Sequence, residues 1–175
     1  MAEEARRIVE NNGVDLESLI LMWNKALADE WFAFIQYQSA IGITKGLMRT
    51  DLEKELEEHA KEEYEHVGLI RKRIIELGGI PSDDPSTWSN LSNCGFKYPC
   101  NPIVPEVLSQ NLEAERCAIK VYNAIMEATK GVDPISYKLA RNILLEEIEH
   151  EQDLQDLQED LEETLEFVKK CSSDL

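Results

Sequence analysis

The chain has 175 residues, 43% of them hydrophobic, which suits one domain with a hydrophobic core. Its formal net charge of −17 disfavours binding to nucleic acid or an anionic membrane, because both are polyanions, and favours the attraction of cations. The sequence contains no long apolar run and no hydrophobic leader, so we expect no membrane span, no secretory signal and a cytoplasmic location.

Capping residues divide the first half of the chain into two long helices. Asp15 is a suitable N-cap for a helix of about residues 15–41. Thr50 and Glu53 form a capping-box pattern ahead of a second helix of about residues 51–77. Two glycines and then a proline follow, and we expect them to end this helix.

The second half begins with a linker over residues 79–104 that is rich in Pro, Ser and Asn, with a short helical turn expected around Trp88. Pro105 suits the first turn of a third long helix. Asp133 and Pro134 suit the N-cap and first residue of a fourth. The helices predicted here cover about residues 105–130 and 134–170.

These segments predict an all-α four-helix bundle in one domain over residues 1–175. The first and third connections are short, so each joins two antiparallel helices. The middle connection is long enough to run the length of a bundle, which predicts a crossover between helices 2 and 3.

The two helical hairpins repeat one pattern. One helix of each carries Leu-x-x-Glu-x-x-Ala-x-x-x-Tyr, and its partner carries Glu-Glu-x-Glu-His. Each pattern lies on an apolar stripe that should face the core. The inward residues are Glu30, Glu63 and His66 in the first hairpin and Glu115, Glu147 and His150 in the second.

Four glutamates and two histidines converging in one interior predict a metal centre. Buried carboxylates would repel one another unless cations neutralise them. Carboxylate and imidazole donors suit iron or manganese. One Glu from each of two helices, with Glu-x-x-His from each of the other two, is the known donor set of di-iron carboxylate proteins. We therefore expect two iron ions per chain, with manganese or zinc as possible substitutes.

Glu113 competes with Glu115 as the ligand on the third helix. The neighbours of Glu113 along the helix are mostly polar, whereas Glu115 lies on the apolar stripe. The repeat also aligns Glu115 with Glu30, so we favour Glu115.

Three further residues lie close to the predicted centre. His59, one turn before Glu63, is either an accessory ligand, part of the iron path or an ordinary buried histidine. Tyr37 and Tyr122 are either hydrogen-bond partners of the ligands or ordinary core tyrosines. A purely structural bundle is disfavoured, because two of the three histidines occupy matching positions in the repeat.

At these residues the chain resembles ferritin-like proteins over nearly its whole length, and the ligand order is similar to the ferroxidase centre of bacterioferritin. The resemblance implies a ferritin-like fold in which Glu63 and Glu147 bridge two irons and Glu30 and Glu115 are terminal ligands. Bacterioferritins carry a haem-ligating Met at the position of Tyr64, so we expect no haem. Rubrerythrins share the helical core, but the chain has no CxxC pair for their rubredoxin-type domain.

The cysteines extend the resemblance to the Dps-like thioferritins, which form twelve-subunit shells. Cys94 in the linker and Cys117 after the third-helix Glu match the cysteine pair of that group. The resemblance implies that these two thiols approach each other near the metal site and can form a disulfide. Cys100 is a second candidate in the linker, and Cys171 has no role that we can assign.

Together these observations predict a ferroxidase that oxidises Fe(II) with hydrogen peroxide or O₂ inside a cage-like homo-oligomer, for iron storage and protection against oxidative stress. One alternative is a rubrerythrin-like di-iron peroxidase without mineral storage. A second is a Dps-type DNA-protecting protein, which the net charge disfavours.

Overall fold

The computed structural model of the protein describes residues 3–173. In this range the chain is helical, with one isolated parallel bridge and no β-strand. No helix in the range is both long and apolar enough to cross a membrane. The helices are α1 (Glu3–Asn11), α2 (Leu16–Ala40), α3 (Arg49–Glu76), α4 (Pro85–Leu91), α5 (Val104–Thr129) and α6 (Pro134–Ser173).

The four long helices form a bundle of two paired hairpins. Helix α2 packs mainly against α3, and α5 packs mainly against α6, with further contacts between α2 and α5 and between α3 and α6. The long connection between α3 and α5 contains α4. The prediction of an all-α four-helix bundle with a long crossover after its second long helix is confirmed.

Two of the long helices begin at aspartate caps. The carboxylate of Asp15 accepts hydrogen bonds from the backbone amides of Glu17 and Ser18 at the start of α2. The carboxylate of Asp133 accepts from the backbone amides of Ile135 and Ser136 at the start of α6. Both caps satisfy amide groups that have no partner inside the helix.

The capping box expected at Thr50 is wrong. Helix α3 begins at Arg49, and the residue before it, Met48, has a left-handed backbone with φ 62° and makes no side-chain cap. The carboxylate of Glu53 accepts a hydrogen bond from the backbone amide of Gly42. Because that oxygen is engaged by the preceding turn, Glu53 supports the α2–α3 connection instead of the helix start.

The crossover lies along α2 and is held at both ends. At its start, the side chain of Asn24 bonds the carbonyl of Ile80 and the amide of Ser82. At its end, Lys45 forms the parallel bridge with Ile103. These contacts tie the crossover to α2 and to the α2–α3 connection.

Helix α1 was not predicted. It is anchored by Val9, which is buried in the core, and by the side chain of Asn12, which donates to the carbonyl of Val132 at the α5–α6 turn. The contact is non-local, so the local sequence pattern carried no signal for it.

The bundle interior consists of two apolar clusters. One includes Trp23, Leu27 and Ile70, and the other includes Leu56 and Leu108. The predicted metal-binding side chains are buried polar residues of the same bundle interior.

Candidate metal centre

The four long helices bring all six predicted ligands into one buried group. Each of the six side chains is at most 2% exposed. The packed bundle therefore separates these carboxylates from bulk solvent, which would otherwise hydrate them. The six residues are Glu30, Glu63, His66, Glu115, Glu147 and His150.

His66 is the centre of one cluster of donor atoms. Its Nδ1 atom lies 3.1 Å from Glu30 Oε2 and 3.1 Å from Glu63 Oε2. It lies 3.5 Å from Glu147 Oε1. One donor atom from each of these four residues lies within 4.8 Å of all the others, so together they could hold one metal ion.

His150 is the centre of a second cluster. Its Nδ1 atom lies 3.4 Å from Glu63 Oε1, 3.6 Å from Glu115 Oε2 and 3.9 Å from Glu147 Oε2. The donor atoms of these four residues also lie within 4.8 Å of one another.

Glu63 and Glu147 belong to both clusters. Each turns one carboxylate oxygen toward His66 and the other toward His150. Glu30 and Glu115 each belong to one cluster. The arrangement can therefore hold two cations that share two carboxylates and have one terminal carboxylate and one imidazole each.

Two glutamates that were not singled out from the sequence orient the histidines. The Nε2 atom of His66 lies 2.6 Å from Glu146 Oε2, and the Nε2 atom of His150 lies 2.7 Å from Glu62 Oε2. Each pair joins α3 to α6. A carboxylate on the outer nitrogen fixes the ring and leaves the inner nitrogen as the donor to a metal. The signal was the doubled glutamate in both copies of the repeat.

The two tyrosines of the repeat differ in their contacts. The Tyr122 hydroxyl donates a hydrogen bond to Glu30 Oε1. The buried Tyr37 hydroxyl has no hydrogen-bond partner among the described residues, and its ring lies edge-on against His59. Tyr122 therefore positions a predicted ligand, whereas Tyr37 packs beside the centre.

The electrostatics of the group reflect its crowded charge. Burial and the charge of Glu63 hold the pKa of Glu30 well above its ordinary value. Burial, with the charges of Glu63 and Glu30, does the same to the pKa of Glu147. Burial also acts to raise the pKa of Glu63, but contacts with the imidazoles of His150 and His66 outweigh it and lower that pKa well below its ordinary value.

Without a bound metal, protonated His66 and His150 supply the positive charge that compensates the buried carboxylates. Burial acts to lower the pKa of His66, but the charge of Glu30 and the hydrogen bond with Glu146 raise it to about 12. Contacts with Glu115 and Glu63 overcome burial in the same way and raise the pKa of His150 to about 11. The group thus requires positive charge in its interior.

The donor atoms fit metal ions better than they fit one another. Glu63 Oε1, Glu115 Oε2, Glu147 Oε1 and His150 Nδ1 are buried without a hydrogen-bond partner among the described residues. Unsatisfied buried polar atoms are costly, and a cation between them would remove that cost. Oxygen and imidazole donors of this kind suit divalent iron, manganese or zinc.

A cavity of about 20 Å³ adjoins the carboxylates. Its wall includes three small residues, Ala33, Ala114 and Ala118, and two residues of the crossover, Cys94 and Gly95. Two of these alanines are the Ala of the sequence repeat. Space of this size admits a molecule about as large as water.

Comparisons with known proteins agree with this architecture. The family model described as a ferritin-like domain matches residues 21–164. The chain belongs to the ferritin-like family.

Two relatives of this ferritin-like protein are more than 30% identical to it. A dodecameric thioferritin, a bacterioferritin-related protein from Bacteroides fragilis, is 42% identical with a TM-score of 0.92, and the match covers 94% of this chain and 98% of that one. The DNA protection during starvation protein of Pyrococcus furiosus is 38% identical over 152 residues, which are 86% of this chain and 82% of the relative. A ferritin-like di-iron-carboxylate protein from Bacillus anthracis, 23% identical with a TM-score of 0.71 over 82% of this chain and 97% of that one, shares the fold. The predicted resemblance to thioferritins is confirmed.

The cysteine pair of this ferritin-like chain is a disulfide between Cys94 and Cys117, which joins the crossover to α5. Cys100 and Cys171 are exposed free thiols. Cys94 also lines the cavity beside the carboxylates. The disulfide therefore holds part of the cavity wall in place.

Asp29 anchors the same loop and was not singled out from the sequence. Its carboxylate accepts hydrogen bonds from the Ser92 hydroxyl at 2.6 Å, the Asn93 side-chain amide at 2.7 Å and the Cys94 backbone amide at 2.9 Å. Burial raises its pKa above the ordinary value, although these hydrogen bonds act in the opposite direction. The repeat has Ala114 at the matching position, so repetition carried no signal for Asp29.

The two remaining candidates from the sequence, Glu113 and His59, lie outside the group of six predicted ligands. Glu113 is exposed and pairs with Lys97, whereas Glu115 is 1% exposed and faces His150. His59 is buried, and its ring stacks on His150 with centroids 4.0 Å apart. Burial and the charge of His150 lower the pKa of His59 to about 3.

Proposed function

We propose that this ferritin-like protein is a ferroxidase that binds two Fe(II) ions and oxidises them with hydrogen peroxide or O₂. The observation that carries the proposal is the sharing of Glu63 and Glu147 by two clusters of donor atoms. Two sites with common carboxylates bring two one-electron donors to one small oxidant. The proposed ligands are Glu30, Glu63, His66, Glu115, Glu147 and His150.

Carboxylates are the suitable donors for this reaction, because four of them stabilise Fe(III) more than Fe(II). With hydrogen peroxide, two Fe(II) ions each lose one electron, and the oxidant gains two electrons and two protons and leaves as two molecules of water. The cavity of about 20 Å³ beside the carboxylates suits such a small oxidant.

Neighbouring side chains hold the proposed ligands in the orientation that binds Fe(II). Glu62 and Glu146 hold the histidines by their outer nitrogens, so that Nδ1 of each ring is directed inward. Tyr122 holds one oxygen of Glu30 and leaves the other toward His66. A site held in this way needs little rearrangement to bind the ions.

We also propose that oxidised iron collects inside a dodecameric cage in the cytoplasm, where it protects the cell from oxidative stress. The relative from Bacteroides fragilis is described as dodecameric, and it aligns with 94% of this chain. The net charge of −17 would draw cations toward such a shell.

Stopped-flow absorbance of Fe(III) tests the oxidation, with hydrogen peroxide and O₂ compared as oxidants. Glu63→Gln and Glu147→Gln should each slow oxidation by more than about 100-fold, because each removes a shared ligand. Both variants should keep wild-type helicity by circular dichroism, since removing one carboxylate lessens repulsion in the metal-free centre. Wild-type rates in both variants would exclude the proposed ligand set.

Size-exclusion chromatography after iron loading tests the storage role. A large assembly holding many irons per chain is expected. A dimer with only two irons per chain would instead indicate a peroxidase of the rubrerythrin type.

DNA protection is a second candidate, because the relative from Pyrococcus furiosus is named for it. The charge of −17 opposes binding to DNA. A gel shift at low salt in buffer without Mg²⁺ should show free DNA, and tight binding there would favour this second candidate.

A further inference from the structure

A third group of donor atoms lies beside the centre, between α3 and α6. The Nε2 atom of His59 lies 3.4 Å from Glu55 Oε1 and 3.6 Å from Asp153 Oδ2. The three donor atoms lie within 4.8 Å of one another. None of these residues belongs to the two clusters that share Glu63 and Glu147.

His59 is buried without satisfying its polar atoms. The residue is 2% exposed, and neither ring nitrogen has a hydrogen-bond partner in the part of the chain that the structure describes. An unsatisfied buried polar group is destabilising, so the fold alone gives no reason for an imidazole here.

The internal repeat shows that packing does not require histidine at this position. Glu147 follows Glu63 by 84 positions, and the residue 84 positions after His59 is Ile143. Ile143 is fully buried in the bundle core. An aliphatic side chain therefore fills the corresponding place in the other hairpin, and the polarity of His59 calls for a ligand.

The spacing of the donors fits one metal ion. Ligand distances of about 2.1 Å in tetrahedral geometry place neighbouring donor atoms about 3.4 Å apart. The observed distances from His59 Nε2, 3.4 Å to Glu55 and 3.6 Å to Asp153, are close to this value. One imidazole with two carboxylates suits Fe(II), Mn(II) or Zn(II).

We infer that Glu55, His59 and Asp153 bind a third divalent transition-metal ion, separate from the two ions of the proposed ferroxidase centre. The side chain of Asp153 is 48% exposed and that of Glu55 is 24% exposed, so the ion reaches them from solvent. On the inner side, the ring of His59 stacks directly on His150. The third ion thus lies between solvent and the centre.

Redox-inert Zn(II) is the probe, measured by equilibrium dialysis with elemental analysis and by anomalous scattering at the zinc edge in crystals of the full chain. The wild type should bind three Zn(II) ions per chain, with one anomalous peak beside His59 Nε2. Asp153→Ala and Glu55→Ala should each lose that peak and retain the two at the centre. Both side chains are partly exposed, so neither change opens a cavity in the core. Glu57→Ala is the matched control, because it removes an exposed carboxylate of α3 outside this group, and it should retain all three.

Two ions per chain in the wild type, with no peak beside His59, would overturn the third site and leave the proposed centre intact. Retention of the third peak in both alanine variants would overturn it as well. If crystals of the wild type show the peak beside His59 but lack the two central peaks, the ligand set of the proposed ferroxidase is contradicted and the third site is not.

Discussion

The Nε2 atom of His150 lies 2.7 Å from the Oε2 atom of Glu62, across the contact between α3 and α6. This pair holds the imidazole with its Nδ1 atom toward Glu63 and Glu115. His66 and Glu146 repeat the relationship in the other direction, from α3 to α6. Each histidine is therefore oriented by the helix that carries the other.

Removing the orienting carboxylate should weaken metal binding without removing a ligand. We expect Glu62→Ala to lower the affinity of the His150 cluster by about 10- to 100-fold, because the ring loses its fixed direction. Competition between the protein and a chelator for Zn(II) measures the change. Glu65→Ala removes an exposed carboxylate of the same helix and should bind as the wild type does. Equal losses in both variants would indicate a general charge effect in place of orientation.

The contact between Asp29 and the crossover can be tested by exchanging donor and acceptor. Asp29→Asn places an amide donor among the donors of Ser92, Asn93 and Cys94, and should cost about 1–3 kcal/mol of unfolding free energy. Adding Asn93→Asp supplies a new acceptor and should recover part of the loss. Urea unfolding of metal-free protein at one fixed concentration measures both. A further loss in the double variant would argue against a direct contact.

The disulfide should stabilise the chain by restricting its unfolded state. Cys94 and Cys117 are 23 positions apart, which corresponds to roughly 3 kcal/mol in the chain-entropy account. Dithiothreitol should therefore lower the urea midpoint of the wild type. Cys117→Ser should begin with the lower midpoint and not respond to the reductant, whereas Cys100→Ser should respond fully. If the urea midpoint of the wild type is unchanged after complete reduction of the disulfide, this expectation is contradicted.

The cap of α6 predicts a dependence on pH. Burial acts to raise the pKa of Asp133, but contacts with Ser136 and Arg73 lower it below the ordinary 3.8. A folded pKa below the unfolded one stabilises the protein above the unfolded pKa, and this stability is lost as pH falls through the folded value.

Asp133→Asn should therefore be less stable than the wild type near neutral pH. The Oδ2 atom of Asp133 accepts from Arg73 Nη2 at 2.7 Å, and the variant replaces this charge with a neutral amide. Unfolding midpoints measured across the acid range should converge for the two metal-free proteins below about pH 4. A constant difference down to the lowest pH would show that the carboxylate charge is not the cause.

Several features of the fold were predictable because their causes are local in the chain. Asp15 and Asp133 cap helices with their own next residues, so a short window of sequence contains the whole interaction. The capping box at Thr50 failed because Glu53 bonds Gly42 from the previous turn instead. A pattern of residue types cannot show that an acceptor is already occupied.

The candidate centre was predictable to the extent that it is repeated. The repeat selected Glu115 over Glu113, and the structure places Glu115 against His150 and Glu113 at the surface beside Lys97. Asp29 has no counterpart in the repeat, and its partners lie more than 60 positions away. Neither periodicity nor repetition could therefore reveal it.

The sequence by itself determined the order of the long helices, the long crossover and the set of six metal-binding candidates, because apolar periodicity and internal duplication are properties of the chain. Only the tertiary structure decided that Glu63 and Glu147 face both histidines, that Glu62 and Glu146 hold the outer nitrogens, and that His59 meets Asp153. These relationships are distances of a few ångströms between atoms of different helices. They depend on how the helices rotate and slide against one another when the core packs, which no local pattern specifies.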